Sequence, residues 1–336
     1  MLSSLVRILL GLSILATLSS CTDLVVTEPE GSTNVADFES AWQIVNSVYP
    51  YFKFKRINWD SIHAVYLPRA EKTRGDEIDA VLFDMLGELR DGHVSMQTQG
   101  GAQVSTYHPP RALRDRYTYS PIVVRKYFDR QLRLAGDQRI EYEKLPGNIG
   151  YLYVATLIKD EPILAGFDEA LAYLQDTKGL ILDVRHNSGG TDNNSIGILG
   201  RLISSPLDWL PYPLPDGTLQ RGFTIPPRGG FQYTKPVVML IDGVCFSSCE
   251  DFSEVMKHIP TVTAVGDTTA GGSGAPQLFA LPSGRKINVS TIDFRRYDGQ
   301  PIEWNGVLPD ILVINTEAEI ESGQDRQLER AIQLLQ

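Results

Sequence analysis

Apolar positions along this chain follow two different rhythms, and the change falls near residue 149. Before it, helical spacing dominates. Phe38, Trp42, Val45 and Tyr49 share one face, and Pro50 ends that segment. Residues 58–69 predict a second helix capped by Asn58 or Asp60. A third starts at Asp76 and carries the stripe Ile78, Val81, Leu82, Met85, Leu86 and Leu89. Residues 97–118 are rich in Gly, Gln, Pro and Arg and read as a loop. The segments 121–128, 131–136 and 139–145 then predict two or three antiparallel strands.

From residue 149 strands and helices alternate. Residues 149–156, 179–184, 237–241 and 262–265 are strand-like. Residues 162–175 and 192–203 have helical character, and Phe252, Val255, Met256 and Ile259 repeat at i, i+3, i+4, i+7. Repeated β–α–β units imply a mostly parallel sheet with helices on both faces, with sites at the carboxyl ends of its strands. Residues 277–314 look like further β-structure, and 318–335 form a final helix.

Two loops fall at those carboxyl ends. Residues 183–194 contain Gly189 and Gly190, which allow backbone N–H groups to approach a ligand closely. The turn after strand 237–241 carries Ser247, where helix N-terminal amides favour negative charge. That placement suits a nucleophile and its oxyanion. It equally suits an ordinary S-x-x-E capping box made by Ser247 and Glu250. The turn Asp91-Gly92-His93 offers a histidine able to serve as general base. His63 reads as a packing or surface residue. The Gly-rich run 266–274 lacks the Lys-Ser/Thr of a P-loop.

Composition narrows the class. The chain has 336 residues, 42% of them hydrophobic and 21% charged, enough for one large domain and a small one. A formal net charge of −10 argues against a nucleic-acid partner. Arg7 and the apolar run 8–18 read as a secretory signal, too short to span a bilayer. Cys245 and Cys249 flank Ser247 and read as small packing residues; the spacing suits neither a disulfide within one helix nor a zinc site.

The signal with Leu18-Ser19-Ser20-Cys21 resembles a bacterial lipoprotein lipobox. This resemblance implies cleavage before Cys21, lipidation of its sulfur, and anchoring to the bilayer of a bacterial cell envelope, on the periplasmic or outer-surface side. Cleavage would also remove Arg7, one positive charge, taking −10 to −11. Residues 21–34 would then be a tether.

The segments ELRDGHVSM at 88–96, NIGYLYVATL at 148–157, GLILDVRHNSGG at 179–190, GVCFSSCEDF at 243–252, VGDTTAGG at 265–272 and GVLPDI at 306–311 together resemble the S41 peptidase family in motif and order. That family includes tail-specific (C-terminal processing) proteases and the tricorn core protease. The helical opening, with Trp42 and INWDSIH at 57–63, resembles members without a PDZ domain. The resemblance implies an α/β chain with a ClpP/crotonase-like αββ core and a small N-terminal helical cap. The expected boundaries are 1–20 signal, 21–34 tether, 35–96 cap, 97–148 β-rich connection and 149–336 peptidase core.

It further implies a serine peptidase acting on peptide or protein substrates through an acyl-enzyme, without cofactor or metal. Ser247 matches the nucleophile, Ser248 one oxyanion amide, and Gly189 or Gly190 the other. Tail-specific members use a lysine where this chain has Gly272. Tricorn-like members use a histidine and a glutamate, matched by His93 and Glu303, with a serine before the histidine where this chain has Gly92. Asp91 or Ser95 would be substitutes for that serine. Arg185 and Arg221 are the arginines considered for a substrate carboxylate. The alternatives are a catalytically weak relative binding peptides or other ligands in the same cleft, and a structural or carbohydrate-associated surface lipoprotein.

Overall fold

Residues 179–183 and 237–241 are buried at every position, as strands covered on both faces must be. In the computed structural model, which describes residues 33–158, 162–214 and 216–336, they form the centre of a seven-stranded sheet. From one edge its order is Ile311–Leu312, Val262–Gly266, Val237–Ile241, Gly179–Asp183, Ile149–Val154, Ile140–Leu145 and Arg133–Ala135. The first five are mutually parallel, and each of the last two pairs antiparallel with the strand before it. Alternate side chains serve opposite faces. Val237, Met239 and Ile241 join one core with the helices Ile163–Leu174, Asp192–Leu199 and Ser248–Met256. Val238 and Leu240 join the other, closed by Leu328 and Ala331 of the helix Arg326–Leu335.

The helices Thr33–Val48, Phe52–Lys55, Trp59–Ala70 and Ile78–Gly87 build the cap, and Asn58 is the cap residue of the third. Their core does not close on itself. Met96, Leu281, Ile287 and Val289 complete it from a second sheet of order Gln277–Ala280, Lys286–Val289, Ser95–Gln97 and Gln103–Ser105. Strands expected in different domains thus pair directly, Ser95 opposite Asn288. This long-range pairing holds the end of the cap against the core.

Several expectations change. Residues 121–125 are a helix, not a strand: Pro121 occupies its first turn, where a missing N–H costs nothing. The first helix starts at Thr33, inside the expected tether. The long final helix is two, Glu317–Ser322 and Arg326–Leu335, broken at Gly323, whose φ of 90° ends the first. The expected loop 97–118 contains the strand Gln103–Ser105 and the short helix Pro110–Asp115. The signal and Cys21 lie outside the described residues. No described helix is long and apolar enough to cross a membrane.

Candidate active site

Three loops meet at the carboxyl ends of the central strands, and the turn 242–247 lies between the other two. Phe246 N–H donates to Asn187 O at 3.1 Å and Ser247 N–H to Gly272 O at 3.0 Å. Ser247 is held at φ 59°, ψ −136°, a region that side-chain-bearing residues rarely adopt. The helix begins at Ser248, and Ser247 makes no side-chain cap bond to it. The capping box is therefore not formed. Glu250, its other half, turns away and accepts hydrogen bonds from the Gly271 and Gly272 amides at 2.8 and 2.6 Å and from the Thr269 hydroxyl. Burial pushes its carboxyl up to about 7, opposed by these bonds.

The hydroxyl freed from capping meets the cap-end histidine: Ser247 Oγ and His93 Nε2 are 2.8 Å apart. His93 is fixed by its own turn. Its N–H donates to Asp91 Oδ1 at 2.8 Å, and Ser290 Oγ donates to Asp91 Oδ2 at 3.0 Å. Asn288 Nδ2 donates to His93 O at 3.0 Å. The imidazole stacks on Phe246, with ring centroids 4.4 Å apart. It is 8% exposed. Burial holds its pKa below the ordinary value; Asp91 pulls it up and Lys55 pushes it down. A neutral imidazole suits a proton acceptor.

Phe246 also accounts for both missing side chains. A Cβ on Gly272 would lie 1.8 Å from the Phe246 ring, and one on Gly92 2.9 Å from it. The aromatic ring occupies the room that either a lysine at 272 or a serine at 92 would need.

Glu303 is not bonded to His93. Its Oε1 lies 2.6 Å from Lys55 Nζ, while Glu303 Oε2 and His93 Nδ1 are both buried without a partner. Burial and the neighbouring Asp91 raise the Glu303 carboxyl well above its usual range, and Lys55 opposes them. Of the two substitutes for a serine at position 92, Asp91 binds the histidine's backbone. Ser95 Oγ is only a 3.5 Å acceptor for Gln103.

Of the two glycines, Gly189 has its N–H taken by Asn187 Oδ1 at 2.8 Å. A Cβ on Gly189 would lie 2.8 Å from the Ser247 Cβ, so the Ser247 turn demands glycine there. Ser248 N–H, first in its helix, has no acceptor within it. Cys245 and Cys249 are buried free thiols. Arg185 is buried and paired with Asp183 and Asp325, and Arg221 is 88% exposed beside Asp208; neither serves the site. A cavity of about 300 Å³, lined by Tyr107, Pro109, Arg111, Gly271 and Trp304 among others, adjoins it through Gly271 and Trp304, the sequence neighbours of Gly272 and Glu303. Among the described residues no cluster of three or more His, Cys, Asp or Glu could hold a metal.

The fold agrees with what known proteins show. Residues 148–313 match the model of peptidase family S41, and residues 35–89 match the tricorn protease C1 domain. The core of the chain belongs to peptidase family S41. The carboxy-terminal processing protease CtpB of Bacillus subtilis is 25% identical over 175 residues, 51% of this chain and 35% of the relative. Tricorn protease homolog 1 of Streptomyces coelicolor is 29% identical over 197 residues, 57% of this chain and 17% of the relative. The chain thus matches only a minor part of these relatives' length. A candidate peptidase from Parabacteroides merdae superposes with TM-score 0.76 at 27% identity, over 91% of this chain and 97% of that one. The tricorn protease shares the fold, with TM-score 0.59 at 18% identity over 90% of this chain and 36% of that one.

Lys55, Phe246, Asn187 and the loop-tying role of Glu250 escaped the sequence reading. Phe246 alone had a signal there, being adjacent to Ser247.

Proposed function

We propose that this protein is a serine peptidase of the S41 type, hydrolysing peptide bonds through an acyl-enzyme. The 2.8 Å contact between Ser247 Oγ and His93 Nε2, made by a serine in a strained turn, carries the reading. His93 takes the hydroxyl proton as Ser247 attacks the carbonyl carbon, then passes it to the leaving amine. Water attacks the resulting ester, its proton going to His93, which returns it to Ser247 Oγ as the C–O bond breaks and the carboxylic acid product leaves. The Gly190 and Ser248 amides receive the tetrahedral oxyanion. Glu303 acts on the imidazolium electrostatically, across a buried site of low dielectric, rather than by direct contact.

The part of the reading concerned with place is a lipid anchor at Cys21, holding the enzyme at a bacterial envelope. The mass of the mature N-terminal peptide tests it: a diacylated Cys21 supports it, and an unmodified Cys21 contradicts it.

The second reading, a ligand-binding relative with weak turnover, draws on the separation of Glu303 from His93 and on the occupied Gly189 amide. Incubation with unfolded casein, with new termini mapped by mass spectrometry, separates the two. Cleavage that disappears in Ser247→Ala and His93→Ala supports the peptidase. Stoichiometric peptide binding with no new termini supports the binder.

A further inference from the structure

Among the described residues Lys55 is the one buried cation at the site, and the mechanism above leaves it unused. Its side chain has no solvent exposure. Nζ lies 2.6 Å from Glu303 Oε1 and 3.8 Å from Asp91 Oδ2, and it donates to the Leu89 and Arg90 carbonyls at 3.0 Å each. The rings of Tyr49, Tyr51 and Trp304 surround it at 5.0–5.6 Å. A lysine this deep is retained only with partners, and its four polar partners bear on the histidine. Leu89 and Arg90 lead into the His93 turn, Asp91 holds the His93 amide, and Glu303 is the relay carboxylate.

We infer that Lys55 is a positioning residue of the catalytic relay, clamping Glu303 to the His93 turn and setting the charge that the imidazole meets. This rests on the peptidase reading. The clamp joins three distant parts of the chain: Lys55 ends the cap helix Phe52–Lys55, His93 follows the last cap helix, and Glu303 comes from the C-terminal loops. The cap therefore belongs to the active site rather than merely covering it. The groups facing the cluster are Asp91 on the histidine's own turn, Tyr49, Tyr51 and Lys55 from the cap, Ser247 from the nucleophile turn, Glu303, Tyr107 with Arg90 on the Glu303 side, and Asp293 and Asp251 toward Tyr51. Glu250 from the following helix adds a weaker field at Glu303. Burial holds the resting imidazole's pKa low; Asp91 opposes this and Lys55 adds to it.

The test compares the parent with Lys55→Met, Glu303→Gln and the double variant. Fluorophosphonate labelling is resolved into a limiting rate and a half-saturating concentration. His93 is also titrated by NMR in ¹⁵N-histidine protein. Lys55→Met lowers the limiting rate roughly ten- to a hundredfold, as a displaced catalytic group does, with the half-saturating concentration unchanged. The double variant is no slower than the worse single one, because both changes break one clamp. Loss of the nearby cation moves the His93 titration to higher pH. A folded Lys55→Met with the parent's rate, or with an unmoved His93 titration, overturns the inference. If the parent itself does not label, the peptidase reading falls and the titration alone decides for or against Lys55. Should Lys55→Met not fold, Lys55→Gln, which removes the cation but keeps a hydrogen-bond donor for Glu303, carries the same titration with the same expected direction.

Discussion

Ser247 has a backbone conformation that suits glycine, yet it carries a side chain, and the hydroxyl is what the strain presents to His93. Replacing Ser247 by Ala or by Gly removes the hydroxyl equally. Only Gly relieves the conformation. Ser247→Gly should therefore exceed Ser247→Ala in stability by about 1 kcal/mol, although Gly normally lowers stability through the unfolded chain. Urea midpoints compare them; an Ala variant equal to or more stable than the Gly one would mean the turn is not strained. At this scale the sequence was informative where chemistry is local. A serine after a strand and a histidine in an Asp-Gly turn are visible without a fold. Lys55 was not, because FKFK reads as an ordinary short amphipathic turn. Its partners arrive from remote parts of the chain, and no periodicity encodes them.

At the scale of elements, the Ser247 turn and the loop 267–274 act as one unit. Glu250 ties the Gly271 and Gly272 amides, Gly272 O holds the Ser247 amide, and Phe246 fills the space between Gly272, Gly92 and His93. This packing explains why no lysine stands at 272. Gly272→Lys alone should unfold the loop or displace Phe246, losing His93 stacking and at least tenfold in labelling rate, as misplaced catalytic groups do. Phe246→Ala combined with Gly272→Lys should regain stability over Gly272→Lys, read as a rise in melting temperature. If Gly272→Lys melts with the parent, Phe246 does not occupy that space. The sequence fixes strands such as 179–183 and 237–241 clearly, since burial on both faces leaves an unbroken apolar run. It misleads at 121–125, where the β-branched pair Val123 and Val124 suggests a strand but Pro121 starts a helix. It misleads also at Ser247, where S-x-x-E describes a cap that the fold spends on catalysis-ready geometry instead.

For the whole molecule, the cap and the core share strands and buried ions rather than a plain contact surface. Arg285, beside the strand Lys286–Val289, reaches Asp37, Asp76 and Asp79 of the cap helices and their connection; Asp37 is fully buried. Arg285→Met would leave Asp37 buried without its counter-ion and should cost about 3–5 kcal/mol. A denaturant midpoint within a few tenths molar of the parent would show that the cap is held without it. This architecture was only half legible. Helical spacing revealed the cap, and β–α–β alternation revealed the parallel sheet. The pairing of Ser95–Gln97 with Lys286–Val289 was hidden, because strand partners far apart in sequence leave no local mark.

The central claim is that Ser247 is a nucleophile activated by His93. The most direct measurement is intact-mass and peptide-level mass spectrometry after fluorophosphonate treatment of the purified protein. The account predicts one adduct, located on Ser247, absent in Ser247→Ala and formed at least a hundredfold more slowly in His93→Ala, the scale of a lost general base. A folded parent that takes no adduct, or an adduct that persists in Ser247→Ala, would contradict it.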